Sequence, residues 1–348
     1  MTPPVYPPPL KDGDLIAVTA PSSGVLPALH ARLDLALAHL RAQGFRVEEG
    51  RCLRDELRSA SACADSRCAE LMQLLLRDDV AAVFPPWGGE LAIELLDRND
   101  WQALRRARPK WLIGYSDTST LMLPITLQLG WATAHGPCLM DLVSGQNDPL
   151  TRAALNRLRT PHRARFEQRQ SEYWQSSWTD FALVPDSTYQ LSEPTQWRCL
   201  NRPAGQTIEL HGRLIGGCID TLMHIAGTCH GDVSRWVADH PEGTILYLEN
   251  AEQSPTGLVR ALHRLRAAGW FDSLAGLLIG RSAAPDSAQP HELRYHEALQ
   301  DSLGGLPYPV LIDVDIGHRP PQFMLINGAP AQLNWNASDG GMLVQMLN

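Results

Sequence analysis

The stretch Pro109-Lys110-Trp111-Leu112-Ile113-Gly114-Tyr115-Ser116-Asp117-Thr118-Ser119-Thr120 decides the reading of this chain. An apolar run ends in a glycine, and a serine follows two residues later. Four small polar residues suited to starting a helix come next, and then the apolar stretch Leu121 to Leu129. The pattern predicts a strand, a tight turn and a helix, with a hydroxyl at the apex. Backbone N–H groups at a helix start point at whatever such a hydroxyl attacks. Ser116 is therefore a candidate nucleophile. On pattern alone it is equally a helix N-cap, because Thr118 stands where a G-x-S-x-G motif has its second glycine.

The same alternation of strand and helix runs outward from that segment. Asp14 to Thr19, Phe45 to Val47, Val80 to Phe84 and Trp131 to His135 read as strands, and Pro27 to Gln43, Cys63 to Arg77 and Glu90 to Leu96 as helices. Pro85 to Gly89 reads as a turn. This rhythm predicts an α/β fold with a parallel sheet covered on both faces. From Pro161 to Gln206 periodicity is lost in a region rich in Ser, Thr, Gln, Pro and Trp, which reads as an irregular loop or linker. The expected division is 1–160, a nucleophile-bearing domain; 161–206, a tryptophan-containing loop; and 207–348, a second domain. In the last, Thr207 to Leu214, Thr244 to Glu249, Leu274 to Ile279 and Val310 to Val314 read as strands. Gly216-Gly217 reads as a turn. Ile219 to Ala226, Pro255 to Ala268 and His291 to Leu303 read as helices, and Ala331 to Met346 as a hairpin.

Bulk properties narrow the function. The chain has 348 residues, 44% of them hydrophobic and 20% charged, with a formal net charge of −8 and no long basic block. That balance argues against nucleic acid or a membrane as partner. The N-terminus lacks the pattern of a secretory signal. The seven cysteines, Cys52, Cys63, Cys68, Cys138, Cys199, Cys218 and Cys229, are scattered without Cys-x-x-Cys or zinc spacing, which reads as reduced thiols in a cytoplasmic protein. No metalloprotease, P-loop or dinucleotide motif occurs, which argues against a metalloprotease, an NTPase or a dinucleotide enzyme.

A serine nucleophile needs a base and a group that orients the base. Glu249 closes the apolar strand Ile245 to Leu248, and His318 lies in the turn after Val310 to Val314. Both belong to positions where open α/β sheets place their sites. Taken singly, Glu249 also reads as a solvated strand end and His318 as a turn residue. An oxyanion hole is expected from the backbone N–H of Asp117 and from Gly88-Gly89, a pair that also reads as a plain turn.

Four segments, Ile113 to Thr118, Thr133 to Pro137, Leu246 to Glu249 and Ile316 to His318, occur in an order and spacing that resemble the LD-carboxypeptidases. That family includes muramoyltetrapeptide carboxypeptidases and microcin C self-immunity serine carboxypeptidases. The resemblance implies a flavodoxin-like N-terminal domain and a smaller α/β C-terminal domain with the active site between them. It implies a catalytic Ser116, Glu249 and His318, oxyanion donors at Gly88, Gly89 and Asp117, and a cytoplasmic homodimer without cofactor. The implied substrate is a small peptide or a peptidyl- or aminoacyl-nucleotide.

The loop Ser171 to Trp178 resembles the aromatic loop of the microcin branch, where a tryptophan stacks on a nucleobase; Trp178 is the first candidate and Trp174 the second. The same tryptophans also read as packing for an irregular loop. Arg281 and Arg319 are candidates for a terminal carboxylate, or structural arginines. Two departures stand out. Cys218 replaces a common asparagine, and Pro85 to Gly89 differs from the Arg-Gly-Gly of the muropeptide enzymes. The rival reading from another class is a cleft that binds a small peptide or nucleotide without chemistry.

Overall fold

The computed structural model describes residues 4–203 and 205–347, and two sheets organise them. The first has the order Leu325–Ile326, Ala134–His135, Trp111–Gly114, Val80–Val83, Leu15–Val18, Arg46–Glu49. Its five strands from the N-terminal half are parallel. Their order, with the second strand outside the first and the others following on the opposite side, is the flavodoxin-like arrangement. Leu15–Val18 and Trp111–Gly114 are buried throughout, as expected of strands covered on both faces. The sixth strand, Leu325–Ile326, comes from the far end of the chain and pairs antiparallel with Ala134–His135.

The second sheet has the order Arg165–Arg169, Gly340–Met346, Pro330–Asn336, Ile208–Cys218, Thr244–Glu249, Gly276–Gly280, Val310–Val314, Arg198–Cys199. Ile208–Cys218 to Val310–Val314 form a parallel centre, and antiparallel strands flank it. The expected C-terminal hairpin is present, and its strands alternate between buried and half-buried positions.

Three local readings change. The Gly216-Gly217 pair is no turn; it lies inside the strand Ile208–Cys218. A Cβ on Gly216 would sit 1.8 Å from Tyr247 O, and one on Gly217 2.6 Å from Ser119 Oγ. Both glycines serve close approach, which a bare sequence does not distinguish from a turn. Glu90 to Leu96 forms only a short 3-10 turn, Ala92–Leu95, because the Ala92 N–H donates to the Asp117 carboxylate at 2.8 Å. The region 161–206 supplies edge strands to the second sheet. In Arg165–Arg169 only Gln168 is buried; its amide donates to Met324 O at 2.9 Å and accepts from Met324 N at 2.8 Å. A strand anchored by one glutamine leaves no apolar alternation to read.

The two halves share a core. One hydrophobic cluster joins Leu15, Leu112 and Leu121 of the N-terminal half to Ile215, Leu246 and Leu258 of the C-terminal half. Among the described residues no helix is long and apolar enough to cross a membrane.

Candidate active site

The strand Trp111–Gly114 delivers the chain to Tyr115 in extended conformation, and Ser116 then adopts φ 60°. A left-handed backbone on a serine is uncommon and costs free energy, so the surroundings must hold it. They do so through Asp117. Its buried carboxylate accepts hydrogen bonds from Ser22 Oγ at 2.5 Å, Ala92 N at 2.8 Å and Thr120 Oγ1 at 3.0 Å. Burial pushes the pKa of that carboxyl up against the pull of its donors. The Asp117 side chain is thus committed to the scaffold, which leaves its backbone N–H as the group it can offer a substrate.

Gly88 stands directly against this apex. A Cβ there would lie 2.7 Å from Asp117 N, 2.7 Å from Ser116 Cβ and 2.8 Å from Ser116 Oγ. Gly89, at φ 141°, backs onto Ser22 and Ser23. The absence of a side chain at Gly88 keeps the space beside the Ser116 hydroxyl and the Asp117 N–H open, and a carbonyl oxygen under attack has to occupy that kind of space.

From the other half come Glu249 and His318. Glu249 ends a strand buried at every position and is itself fully buried, so it is no solvated strand end. Its Oε2 lies 2.8 Å from His318 Nδ1, and His318 Nε2 lies 3.0 Å from Ser116 Oγ. Gly317, at φ 92°, permits this approach; a Cβ on it would fall 2.5 Å from Glu249 Oε2. The imidazole is also held edge-on by the Tyr115 ring, with centroids 4.8 Å apart at 73°. Burial lowers the His318 pKa, but the charge and hydrogen bond of Glu249, with Asp220 and Asp141 nearby, more than reverse it, and the net shift is upward. Burial likewise raises the Glu249 pKa, and His318 overcomes it to hold the carboxyl below its ordinary value. The result is a hydroxyl, an imidazole and a carboxylate in one line of hydrogen bonds.

The turn carrying His318 is fixed from behind by Asp315. Its buried carboxylate accepts from Ser171 Oγ at 2.5 Å, Trp197 Nε1 at 3.1 Å and Arg281 Nη1 at 2.7 Å. Arg281, only 4% exposed, also donates to Arg319 O and Pro321 O. It braces the turn from outside the cavity at Ser116, so the structure does not bring this candidate carboxylate binder to the reacting atoms. Arg319 donates to Ser176 O and Ala283 O, and both guanidiniums lie 5.9 Å from the Trp174 ring centroid. Arg319 and Trp174 therefore anchor the tryptophan loop to the His318 turn. Trp178 is 44% exposed, with its ring edge against Phe181 and Tyr189.

A cavity of about 180 Å³ opens beside Ser116 and His318. It is lined also by Glu90, Asp220, Thr221, His224, Glu252 and Gln253, none of which the sequence singled out. The available signal was positional: Asp220 starts the helix Ile219–Ile225 at the carboxyl end of a central strand. His135, fully buried between Tyr115 and Tyr247, has its pKa pushed down to about 4 by burial and stays neutral. Among the described residues no group of three His, Cys, Asp or Glu is gathered to hold a metal ion.

Comparison with known proteins shows the family and the fold. Residues 16–136 match the LD-carboxypeptidase N-terminal domain, and residues 211–333 match the LD-carboxypeptidase C-terminal domain. The chain is 25% identical to the microcin C7 self-immunity protein MccF of Escherichia coli, over 98% of this chain and 96% of that one. It is 27% identical to the murein tetrapeptide carboxypeptidase of Pseudomonas aeruginosa, over 72% of this chain and 70% of that one. Among solved structures, MccF in complex with glutamyl sulfamoyl guanosine superimposes with a TM-score of 0.82 at 23% identity, over 98% of each chain. A MccF-like protein of Bacillus anthracis superimposes with a TM-score of 0.82 at 22% identity, over 99% of this chain and all of that one.

Proposed function

Because the chain belongs to the LD-carboxypeptidase family, we propose that it is a serine carboxypeptidase. It hydrolyses an amide near the C-terminus of a small peptide, or of a peptidyl- or aminoacyl-nucleotide conjugate, through an acyl-enzyme. The observation that carries this reading is the unbroken line from Glu249 through His318 to Ser116, at 2.8 and 3.0 Å. His318 Nε2 accepts the Ser116 proton as Oγ attacks the carbonyl carbon. Glu249 fixes the tautomer that leaves Nε2 free and stabilises the imidazolium that forms. Negative charge on the carbonyl oxygen develops toward the Asp117 N–H and the backbone of Gly88-Gly89. The imidazolium returns its proton to the leaving nitrogen, and water then cleaves the ester by the same route in reverse.

An exposed indole favours a nucleotide-bearing leaving group. Trp178 shows 44% of its surface on the loop tied to the His318 turn, and a nucleobase can stack there without base-specific contacts. The muropeptide tetrapeptide is the second substrate, supported by the relative in Pseudomonas aeruginosa. In this reading residues 1–160 carry the nucleophile, 161–206 the tryptophan loop and 207–348 the glutamate and histidine, and the protein works in the cytoplasm as a homodimer.

The test presents the protein with a muropeptide tetrapeptide and with an aminoacyl-nucleotide amide, and reads the products by mass. Fluorophosphonate labelling is mapped in parallel. The Ser116→Ala variant should bind but neither turn over nor label. Substantial turnover by that variant removes Ser116 from the mechanism. A protein that binds these compounds and neither cleaves them nor labels is the non-catalytic module instead.

A further inference from the structure

We infer that Asp220 is a positioning residue for this reaction: it fixes the cavity wall that follows Glu249 and faces the substrate space beside His318. The inference rests on the serine-peptidase reading above. Asp220 Oδ2 accepts from Ala251 N at 2.9 Å, and Oδ1 accepts from Glu252 N at 2.9 Å and Gln253 Nε2 at 3.3 Å. Three consecutive residues are thus gathered by one carboxylate, and all three line the cavity at Ser116. The segment starts two residues after the catalytic glutamate. Asn250, between them, is tied in turn to Gln253 O at 2.9 Å and Ser282 Oγ at 3.0 Å.

The same carboxylate reaches toward the triad through Cys218. The Cys218 thiol donates to Asp220 Oδ2 at 3.4 Å. Cys218 is also the register partner of Glu249 on the neighbouring parallel strand, so the two side chains share a face of the sheet. Glu249 Oε1 is buried and has no hydrogen-bond partner among the described residues. The Cys218 thiol, oriented by Asp220, stands beside that carboxylate and helps hold the Glu249 pKa down. The charges of Glu249, Asp220 and Asp141 act on His318, the neutral His135 and the Tyr115 ring lie beside it, and Glu90, His224 and Glu252 line the same cavity. The three carboxylates favour the imidazolium, and of the three Asp220 is the one that lines the substrate cavity.

Asparagine cannot replace this group. One of its two terminal atoms is an NH2, so a backbone N–H at Ala251 or Glu252 would face another donor. The Asp220→Asn variant should therefore raise KM about tenfold with a smaller change in kcat, since Asp220 is half-buried and a lost hydrogen bond to a charged acceptor is worth about that much. It should also move the acidic limb of kcat/KM to lower pH, because one carboxylate that favours protonated His318 is gone. Asp220→Glu keeps the charge and displaces the acceptors by one methylene; it should raise KM and leave the acidic limb in place. A merely structural aspartate would lower thermal stability without moving that limb.

Both variants are measured beside the wild type in steady-state hydrolysis from pH 5 to 9, with thermal melts of each. A wild type that neither hydrolyses nor labels at Ser116 overturns the peptidase reading itself. An active wild type with Asp220→Asn matching it in KM and in the acidic limb overturns the inference about Asp220 alone. If Asp220→Asn does not fold, Asp220→Glu decides: an unchanged KM there overturns the inference, and a raised KM with an unmoved limb supports it.

Discussion

The Gly88→Ala substitution tests the oxyanion geometry with one methyl group. Gly88 needs no unusual backbone, so alanine adds only its Cβ. That atom would stand 2.7 Å from Asp117 N and 2.8 Å from Ser116 Oγ, against an ordinary contact of 3.4 Å or more. Something must move by more than half an ångström. Rotation of the hydroxyl does not relieve this, because Ser116 Cβ also lies at 2.7 Å and, like Asp117 N, is set by the backbone. Asp117 N is backbone anchored by the three hydrogen bonds of its own carboxylate, and Ser116 is pinned at φ 60° between Tyr115 and the following helix. The methyl therefore fills the place of the carbonyl oxygen or tilts the Asp117 N–H away from it. Loss of one oxyanion donor costs about 10²–10³ in kcat. Overpacking at such a site costs about 1–3 kcal/mol in stability. The assay is kcat on the best substrate found, with a thermal melt, beside Gly305→Ala as control, where an added Cβ meets nothing within 4 Å. The control should behave as wild type. A folded Gly88→Ala enzyme with wild-type kcat would refute the reasoning, because no reacting oxygen could then use that space.

Three further outcomes follow from the geometry. Glu249→Gln removes the charge that raises the His318 pKa, so the acidic limb of kcat/KM should move to lower pH while kcat falls about 10²–10⁴-fold; a pH–rate profile with an unmoved limb would contradict the assigned pair. Gly217→Ala would place a Cβ 2.6 Å from Ser119 Oγ and part the strand Ile208–Cys218 from the nucleophile's helix; urea unfolding should show about 1–3 kcal/mol lost, with kcat reduced as well. Arg32→Ala removes a buried guanidinium that donates to Pro185 O at 3.1 Å and Ser187 O at 2.6 Å and stacks on Phe181 at 4.1 Å; limited proteolysis should then cut within 176–189 sooner than in wild type, and equal cutting rates would show that the loop does not depend on it.

Strand positions and the nucleophile turn were legible because they follow from local pattern. Leu15–Val18 and Trp111–Gly114 are continuous apolar runs closed by turn residues, and only a parallel sheet buried on both faces calls for such runs. Position singled out Ser116, Glu249 and His318, each beside a plain structural alternative, and resemblance alone implied that they act together. Nothing in the composition of the 310–321 segment distinguishes His318 from an ordinary turn histidine. What distinguishes it is Gly317 against Glu249, a contact across 68 positions of sequence. Gly216 and Gly217 were misread for the same reason, since their need for glycine lies in Tyr247 and Ser119 and not in their neighbours along the chain. Arg281 was a reasonable carboxylate binder as a residue type. Its actual partner, Asp315, is a carboxylate of the protein itself.

The triad straddles two sheets, and that placement would be fragile if the halves merely touched. Several independent contacts make them one body at the site. Cys218 N donates to Ser119 Oγ at 3.1 Å, joining the residue beside Glu249 to the helix just behind Ser116. Leu325–Ile326, seven residues after His318, completes the sheet that leads to Ser116. Asn327 extends the join: it donates to Thr133 Oγ1 at 3.1 Å and accepts from Tyr247 OH at 2.7 Å. A shared apolar cluster lies under all of these. A hydrogen-bond line at 2.8 and 3.0 Å between side chains 69 and 202 positions apart is therefore a property of the packed core, with no closing motion needed to assemble it. Substrate-dependent movement, where it occurs, belongs to the part outside this shared core. That part is the tryptophan loop, which Arg32 clasps from one side and Arg319 from the other. The fused core fixes Ser116, His318 and Glu249 relative to one another, and the loop that carries the exposed Trp178 is joined to it through arginine side chains.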